Sequence, residues 1–414
     1  MTDHCSPAFA ELAHSMGFSC AETGGVVSFR SPFGLENWTL PVLGTLIIAG
    51  SVLALVYAIV RLRRHGDPTN LVLWIGALFF LFIIEPPIYF PAAFGTEEYL
   101  GTMFAHNVFA VDFLWGRLPL YIVAIYPLMA TVAFELVRML GVFRRYGTFV
   151  GAACVGFVHH AFYEIFDQLG PQLRWWEWSA DNEIAKPFLD AVPVPSIVVF
   201  AALWPMSLAL CVQFFVGRHV DAGRRFGVHG TDAGRRFGVH GTDAGRRFGG
   251  WGLTGRTVGV GLLASVGVLI LPMPATIMGI GGNGWRAAGY VIELAVIAVI
   301  AVVVLTRQWL RLRPGSGAGL LTGADAARYD NPFIRLYAIV YLVVFAVLWA
   351  SALPDYADAV DGVTANGDPI GNIWYTLACF VVAIAVVAAA WSVRQAGQAL
   401  AGDGPAEHAL TPTS

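Results

Sequence analysis

The chain has 414 residues, 57% of them hydrophobic and 13% charged, with a mean hydropathy of +0.65. Soluble domains carry about a quarter charged residues, so a soluble globular protein is excluded and an all-α, polytopic integral membrane helical bundle is expected. The net charge of −3 selects no partner by itself, and no nucleic acid is expected as one. Membrane lipids are the expected surroundings, and a hydrophobic small molecule is the expected substrate. Lys186 is the sole lysine, so arginine carries nearly all the positive charge. With much Ala, Gly and Val, that bias suggests a GC-rich genome and a bacterial plasma membrane.

Residues 1–38 form an expected extracytoplasmic tail. They show no basic segment followed by a continuous apolar run, so no cleavable signal is read there. The tail holds one arginine, Arg30, and several acids. Cys5 and Cys20 would be free to bridge if the tail lies outside, and two free thiols fit equally well. Cys154, Cys211 and Cys379 sit in apolar runs, where a thiol serves as a small hydrophobe.

Nine apolar stretches are long enough to cross a bilayer: 39–61, 70–94, 118–140, 148–168, 193–217, 256–280, 286–306, 334–353 and 372–393. Residues 39–217 make a first bundle segment of five spans with the candidate site, and 256–393 a second of four. The first span ends in RLRRH, residues 61–65. The second contains Glu85-Pro86-Pro87 and is expected to bend or break there, because proline lacks the helical N–H. The sixth should break at Pro272-Met273-Pro274. Arginine recurs in alternate connections: Arg61, Arg63 and Arg64; Arg138, Arg144 and Arg145; Arg307, Arg311, Arg313, Arg328 and Arg335; and Arg394. The other connections are acidic, with Glu97, Glu98, Glu177, Asp181, Glu183, Asp355, Asp358, Asp361 and Asp368. The positive-inside rule then puts the N-terminus outside and the C-terminus in the cytoplasm.

Between the fifth and sixth spans, DAGRRFGVHGT begins at Asp221 and again at Asp232, and DAGRRFG returns at Asp243. The loop 218–255 is read as a flexible, Arg/Gly-rich cytoplasmic repeat. Its arginine pairs reinforce topology, and an alternative is contact with anionic headgroups. Shortening it to one unit is expected to leave activity intact. Residues 394–414 read as a disordered cytoplasmic tail. The RWWEW run at 174–178 fits an aromatic boundary belt. The aspartates of 355–368 lack EF-hand spacing and read as a solvated loop.

The fourth span carries the densest set of ionisable groups. His160, Glu164 and Asp167 fall at i, i+4 and i+7, on one helical face, while His159 projects elsewhere, above Tyr163. Charged groups at membrane depth cost a few kcal/mol each and normally face protein or water. Sorted by depth, these residues join Glu85, Glu293, His106 and Asp112 in one expected pocket in the outer half. Glu135 stands apart, one turn from Arg138, as an i,i+3 pair.

Three uses of that pocket suit the residue types. A zinc or iron ion held by His160, Glu164 and His159 is one, since nitrogen-plus-carboxylate sets suit both metals. Acid–base chemistry on a lipid or isoprenoid is another, with His160 and Glu164 as the central pair, Glu85 and Asp112 as supports and Asp167 at the mouth. Proton or ion translocation is the third. A plainer reading has the same groups simply joining helices, in a membrane assembly component. The pattern HAFYE at 160–164 resembles that of emopamil-binding, sterol-isomerase-like proteins. The likeness covers those five residues, and no roles are carried over from it. No P-loop, HExxH or CxxC motif is present. The leading expectation is a lipid- or isoprenoid-modifying membrane enzyme, with a transporter as its rival.

Overall fold

The computed structural model describes residues 5–35, 37–95, 104–178, 187–221, 225–226, 247–312 and 330–402. Among them, nine helices are long and apolar enough to cross a membrane. A short helix α1 (Pro7–Ser15) precedes them. The spans are α2 (Thr39–His65), α3 (Thr69–Tyr89), α5 (Leu120–Met139), α6 (Val142–Asp167), α7 (Ser196–Asp221), α8 (Gly250–Ile270), α10 (Asn283–Leu312), α11 (Pro332–Ala357) and α12 (Ile373–Gly402). One-turn α4 (Pro91–Phe94) follows α3, and α9 (Met273–Met278) continues the path of α8. Helices satisfy every backbone group internally, which apolar surroundings demand.

The apolar window of α5 is 89% buried and that of α6 78%, against 33% for α10. Helices α5 and α6 therefore form the axis of the bundle, and the others wrap it. Close approach on that axis needs small residues: a Cβ on Gly156 of α6 would lie 2.7 Å from the Ala202 carbonyl of α7. Gly147, at φ 81°, interrupts α6 near its start, a conformation other residues rarely adopt.

Two proline expectations come out differently. The chain does break at Pro272, between α8 and α9. Helix α3, in contrast, runs unbroken through Pro86 and Pro87 and ends at Tyr89. The prolines fall in its last turn, so the bonds they cannot donate leave little helix beyond them to disturb. The run Gly279–Gly284, GIGGNG, follows a helix and not a strand, so it lacks the context of a dinucleotide loop.

At the acid-rich end, the connections weave into a cap. Strand β1 (Val27–Phe29) pairs antiparallel with β3 (Val111–Phe113), which pairs with β4 (Leu118–Pro119). Strand β2 (Phe104–His106) pairs with β5 (Trp176–Trp178). The N-terminal region is thus folded, with α1 joined to its neighbour by a Cys5–Cys20 disulfide. Ser15 of α1 donates to Glu177 of β5, and the Arg117 guanidinium stacks 3.6 Å from the Phe9 ring centre. Trp175 and Trp176 of the RWWEW run are buried within this cap and do not simply face lipid. Asp368 of the aspartate loop lies 2.6 Å from Arg174. Strands β6 (Pro187–Leu189) and β7 (Val192–Pro193) lead into α7.

The arginine-rich end is tied by buried ions. Asp67, in the α2–α3 turn, lies 2.9 Å from Arg61 and 2.8 Å from Arg138. Arg138 is also 3.3 Å from Glu135, and Asn331 donates to Glu135 at 2.9 Å. The expected Glu135–Arg138 pair is therefore one link of a larger network. Burial alone would raise the Asp67 carboxyl, but Arg138 and Arg61 hold it well below the usual carboxylate range. From the repeat loop, β8 (Arg225–Phe226) and β9 (Arg247–Phe248) pair in parallel. The remainder of the repeats, the connection acids Glu97, Glu98, Asp181 and Glu183, Arg313, Arg328, Lys186 and the tail beyond 402 lie outside the described residues.

Candidate functional site

Helix α3 brings Glu85 to the acid-rich end in its last turn, and α6 brings Asp167 there as its final residue. Both line one cavity of about 40 Å³, together with Tyr126 of α5, Tyr163 of α6, Ser196 of α7 and His106 of β2. The volume suits about three or four waters, at roughly 10–15 Å³ apiece. Phe104, Phe166, Trp176 and Trp178 supply aromatic walls. Tyr163, Phe200 and Trp178 are the half-buried members of the lining, so the mouth lies beside them.

Each acid is held by one hydroxyl. The Tyr126 hydroxyl donates to Glu85 Oε1, and the Ser196 hydroxyl donates to Asp167 Oδ2 at 2.6 Å. Among the described residues, Glu85 Oε2, His106 Nδ1 and the indole N–H groups of Trp176 and Trp178 have no partner. The lining thus offers both hydrogen-bond acceptors and donors. His106 sits among Tyr89, Phe104, Tyr121 and Trp176, each ring edge-on to it at 5.2–6.3 Å. Burial there pushes the imidazole down to about 3, so it is neutral at physiological pH. Next to the cavity, Trp204 stacks 5.1 Å from Phe80 and lies tilted 4.9 Å from Tyr126. All three rings are buried, and Tyr126 joins this cluster to the cavity lining.

Of the residues expected from sequence, the structure therefore brings together Glu85, His106, Tyr163 and Asp167. It places the other five elsewhere. His160 turns to α7 and α12, with Nδ1 2.9 Å from the Ile197 carbonyl and Nε2 2.6 Å from the Tyr375 hydroxyl. A carbonyl only accepts, so Nδ1 carries the hydrogen and Nε2 accepts from Tyr375. The expected His160–Glu164 bond is not made. Glu164 Oε2 instead accepts from Gln168 at 2.9 Å, and Oε1 has no partner among the described residues. His159 donates from Nδ1 to the Ala201 carbonyl at 2.7 Å and stacks on Tyr163, as the sequence suggested.

Asp112 lies in the cap, where both carboxylate oxygens accept from the Phe109 N–H. Burial pushes its carboxyl up to about 7, against the pull of that N–H and of Arg30. Glu293 accepts from the Ala275 N–H at 2.9 Å and so caps the helix that follows the Pro272 break. Among the described residues, no three His, Cys, Asp or Glu side chains are grouped to hold one metal ion. Tyr126 and Ser196 escaped the sequence reading. Their depth, matching Glu85 and Asp167, was the one signal that pointed to them. No protein-family model, curated protein or solved structure matches the chain.

Proposed function

We propose that this membrane protein is an acid–base enzyme acting on a lipid or isoprenoid, with Glu85 and Asp167 as its proton-exchanging pair. The observation that carries this reading is their meeting, from α3 and α6, in one aromatic-walled cavity. Its weight moves from His160 and Glu164 to Glu85 and Asp167, because both His160 nitrogens are already bonded within the protein. At about 40 Å³ the cavity is far smaller than the roughly 300–1,000 Å³ that encloses a whole small ligand. The reactive group of the substrate enters past Tyr163 and Phe200, and its apolar remainder stays among the lipids.

In this reading one carboxyl donates a proton to an alkene or carbonyl carbon framework, and the other carboxylate removes one from the resulting cation. Tyr126 and Ser196 orient the two acids. The faces of Trp176 and Phe104 stabilise positive charge in transit. Transport is the rival reading, and the close packing of Phe80, Tyr126 and Trp204 next to the cavity favours the enzyme over it.

The test compares membrane extracts of hosts making the wild type, Glu85→Gln or Asp167→Asn in equal amounts. Mass spectrometry with fragmentation that locates double bonds should find a lipid or isoprenoid with a shifted double bond in the wild type. Formation should fall by about 10²–10⁴-fold in either variant, the usual worth of a general acid or base. Identical extracts, joined by Glu85-dependent proton uptake into proteoliposomes, would replace the enzyme with a transporter.

A further inference from the structure

A second and much larger cavity, of about 1,010 Å³, lies between the N-terminal region and the cap. Among the described residues, it shares none with the acid-bearing cavity. Its floor includes Leu40, in the first turn of α2, and its wall includes Trp38, which precedes that helix. The opening therefore sits at the depth of the lipid headgroups. Trp38 is 57% exposed and Phe29 79%, and Phe33, beside them in the chain, is 97% exposed. Indole and phenyl groups at that depth rest in the membrane interface.

The charges of the wall are mixed and ordered. Ser28 of β1 stands directly opposite Asp112 of β3. Directly opposed residues share a sheet face, as do residues two apart, so Arg30 and Asp112 project on the same side. Glu22 adds a second carboxylate and Arg30 the cation nearest to Asp112. The other arginine of the wall, Arg174, is already paired with Asp368. A purely anionic ligand would meet Asp112 and Glu22, and a purely cationic one would meet Arg30. A ligand with both charges a few bonds apart meets an opposite charge at each end.

We propose that this cleft binds the headgroup of a zwitterionic phospholipid, its phosphate on Arg30 and its ammonium on Asp112 and Glu22. The glycerol backbone fills the remaining volume, and the acyl chains leave past Phe29 and Phe33 into the bilayer. This assignment stands apart from the acid–base reading of the smaller cavity.

The experiment is native mass spectrometry of the full chain, titrated with dioleoyl phosphatidylethanolamine and with dioleoyl phosphatidylglycerol. The wild type should bind phosphatidylethanolamine about tenfold more tightly, the scale of one charge-assisted contact. Asp112→Asn, which keeps an acceptor for the Phe109 N–H, and the exposed Glu22→Gln should each erode that preference without weakening phosphatidylglycerol. Arg30→Gln should weaken both lipids. Equal binding of the two lipids by the wild type would overturn the proposal, and so would a preference that survives Glu22→Gln and Asp112→Asn together. Soluble phosphoethanolamine displacing the lipid at comparable concentration would assign the cleft to a free metabolite instead.

Discussion

His106 and Asp112 are six residues apart in the chain, yet burial drives their protonation in ways that oppose each other. His106, near 3 in the fold and about 6.5 when unfolded, binds its proton more readily in the unfolded chain. Its contribution to stability is therefore lost as pH falls below about 6.5. Asp112, near 7 in the fold and about 3.9 when unfolded, binds its proton more readily in the folded chain. Its contribution is full below about pH 4 and is lost as pH rises through 7. Between these limits the two slopes compete. Replacing His106 by Gln should make the melting temperature fall more steeply from pH 4 to 6.5 than in the wild type, and Asp112→Asn should make it rise. Thermal unfolding in detergent across that range checks both, and parallel curves for all three proteins would refute the pairing. Glu85 and Asp167 were legible in the sequence because an ionisable side chain in an apolar run needs an explanation, and His106 because it stands just before the third span. Tyr126 and Ser196 were not, since a hydroxyl in such a run is commonplace.

Helical periodicity says which residues of an element share a face, and it says nothing of what that face meets. His160, Glu164 and Asp167 do lie along one side of α6, but three different partners divide them: Tyr375, Gln168 and Ser196. The acceptors of the two histidines are Ile197 and Ala201, in the π-helical stretch Ser196–Leu203 of α7. A π-helix bonds i to i+5 in place of i+4, which redirects carbonyls sideways, and no pattern in an unbroken apolar run announces it. Nine spans were readable to within a few residues because length and hydropathy decide them. The pairing of spans was not, since lipid-facing and core-facing positions are equally apolar here. The bond from Tyr375 to His160 is a polar link between α12 and α6, beside the one from the Asn372 N–H to Gln168 at their ends. Tyr375→Phe leaves a buried ring nitrogen without its donor and should cost about 1–3 kcal/mol. Glu164→Gln keeps an acceptor oxygen for Gln168 and should cost less. Chemical denaturation of the two variants measures the order, and a reversal would restore the His160–Glu164 pair as the joint.

Across the whole molecule, polar side chains gather at both ends of the bundle and differ in kind. The arginine-rich end is an ion network joining α2, α5, α11 and the α2–α3 turn through Asp67. The acid-rich end is the cavity, with carboxyls held by hydroxyls. Asp67→Asn strips the charge that Arg61 and Arg138 share, in a region where neither guanidinium reaches water freely. A loss of about 3–5 kcal/mol is expected, as for other buried pairs broken on one side. Asp368→Asn removes a partner of the half-exposed Arg174 and should cost about 0–1 kcal/mol. Thermal melts of both variants test the contrast, and equal losses would remove the distinction between the ends. Between the ends stand Phe80, Tyr126 and Trp204, ring against ring. Packing of that kind would leave Glu85 and Asp167 a proton path toward the acid-rich end alone. Their proton occupancy would then follow the acidity of that one side.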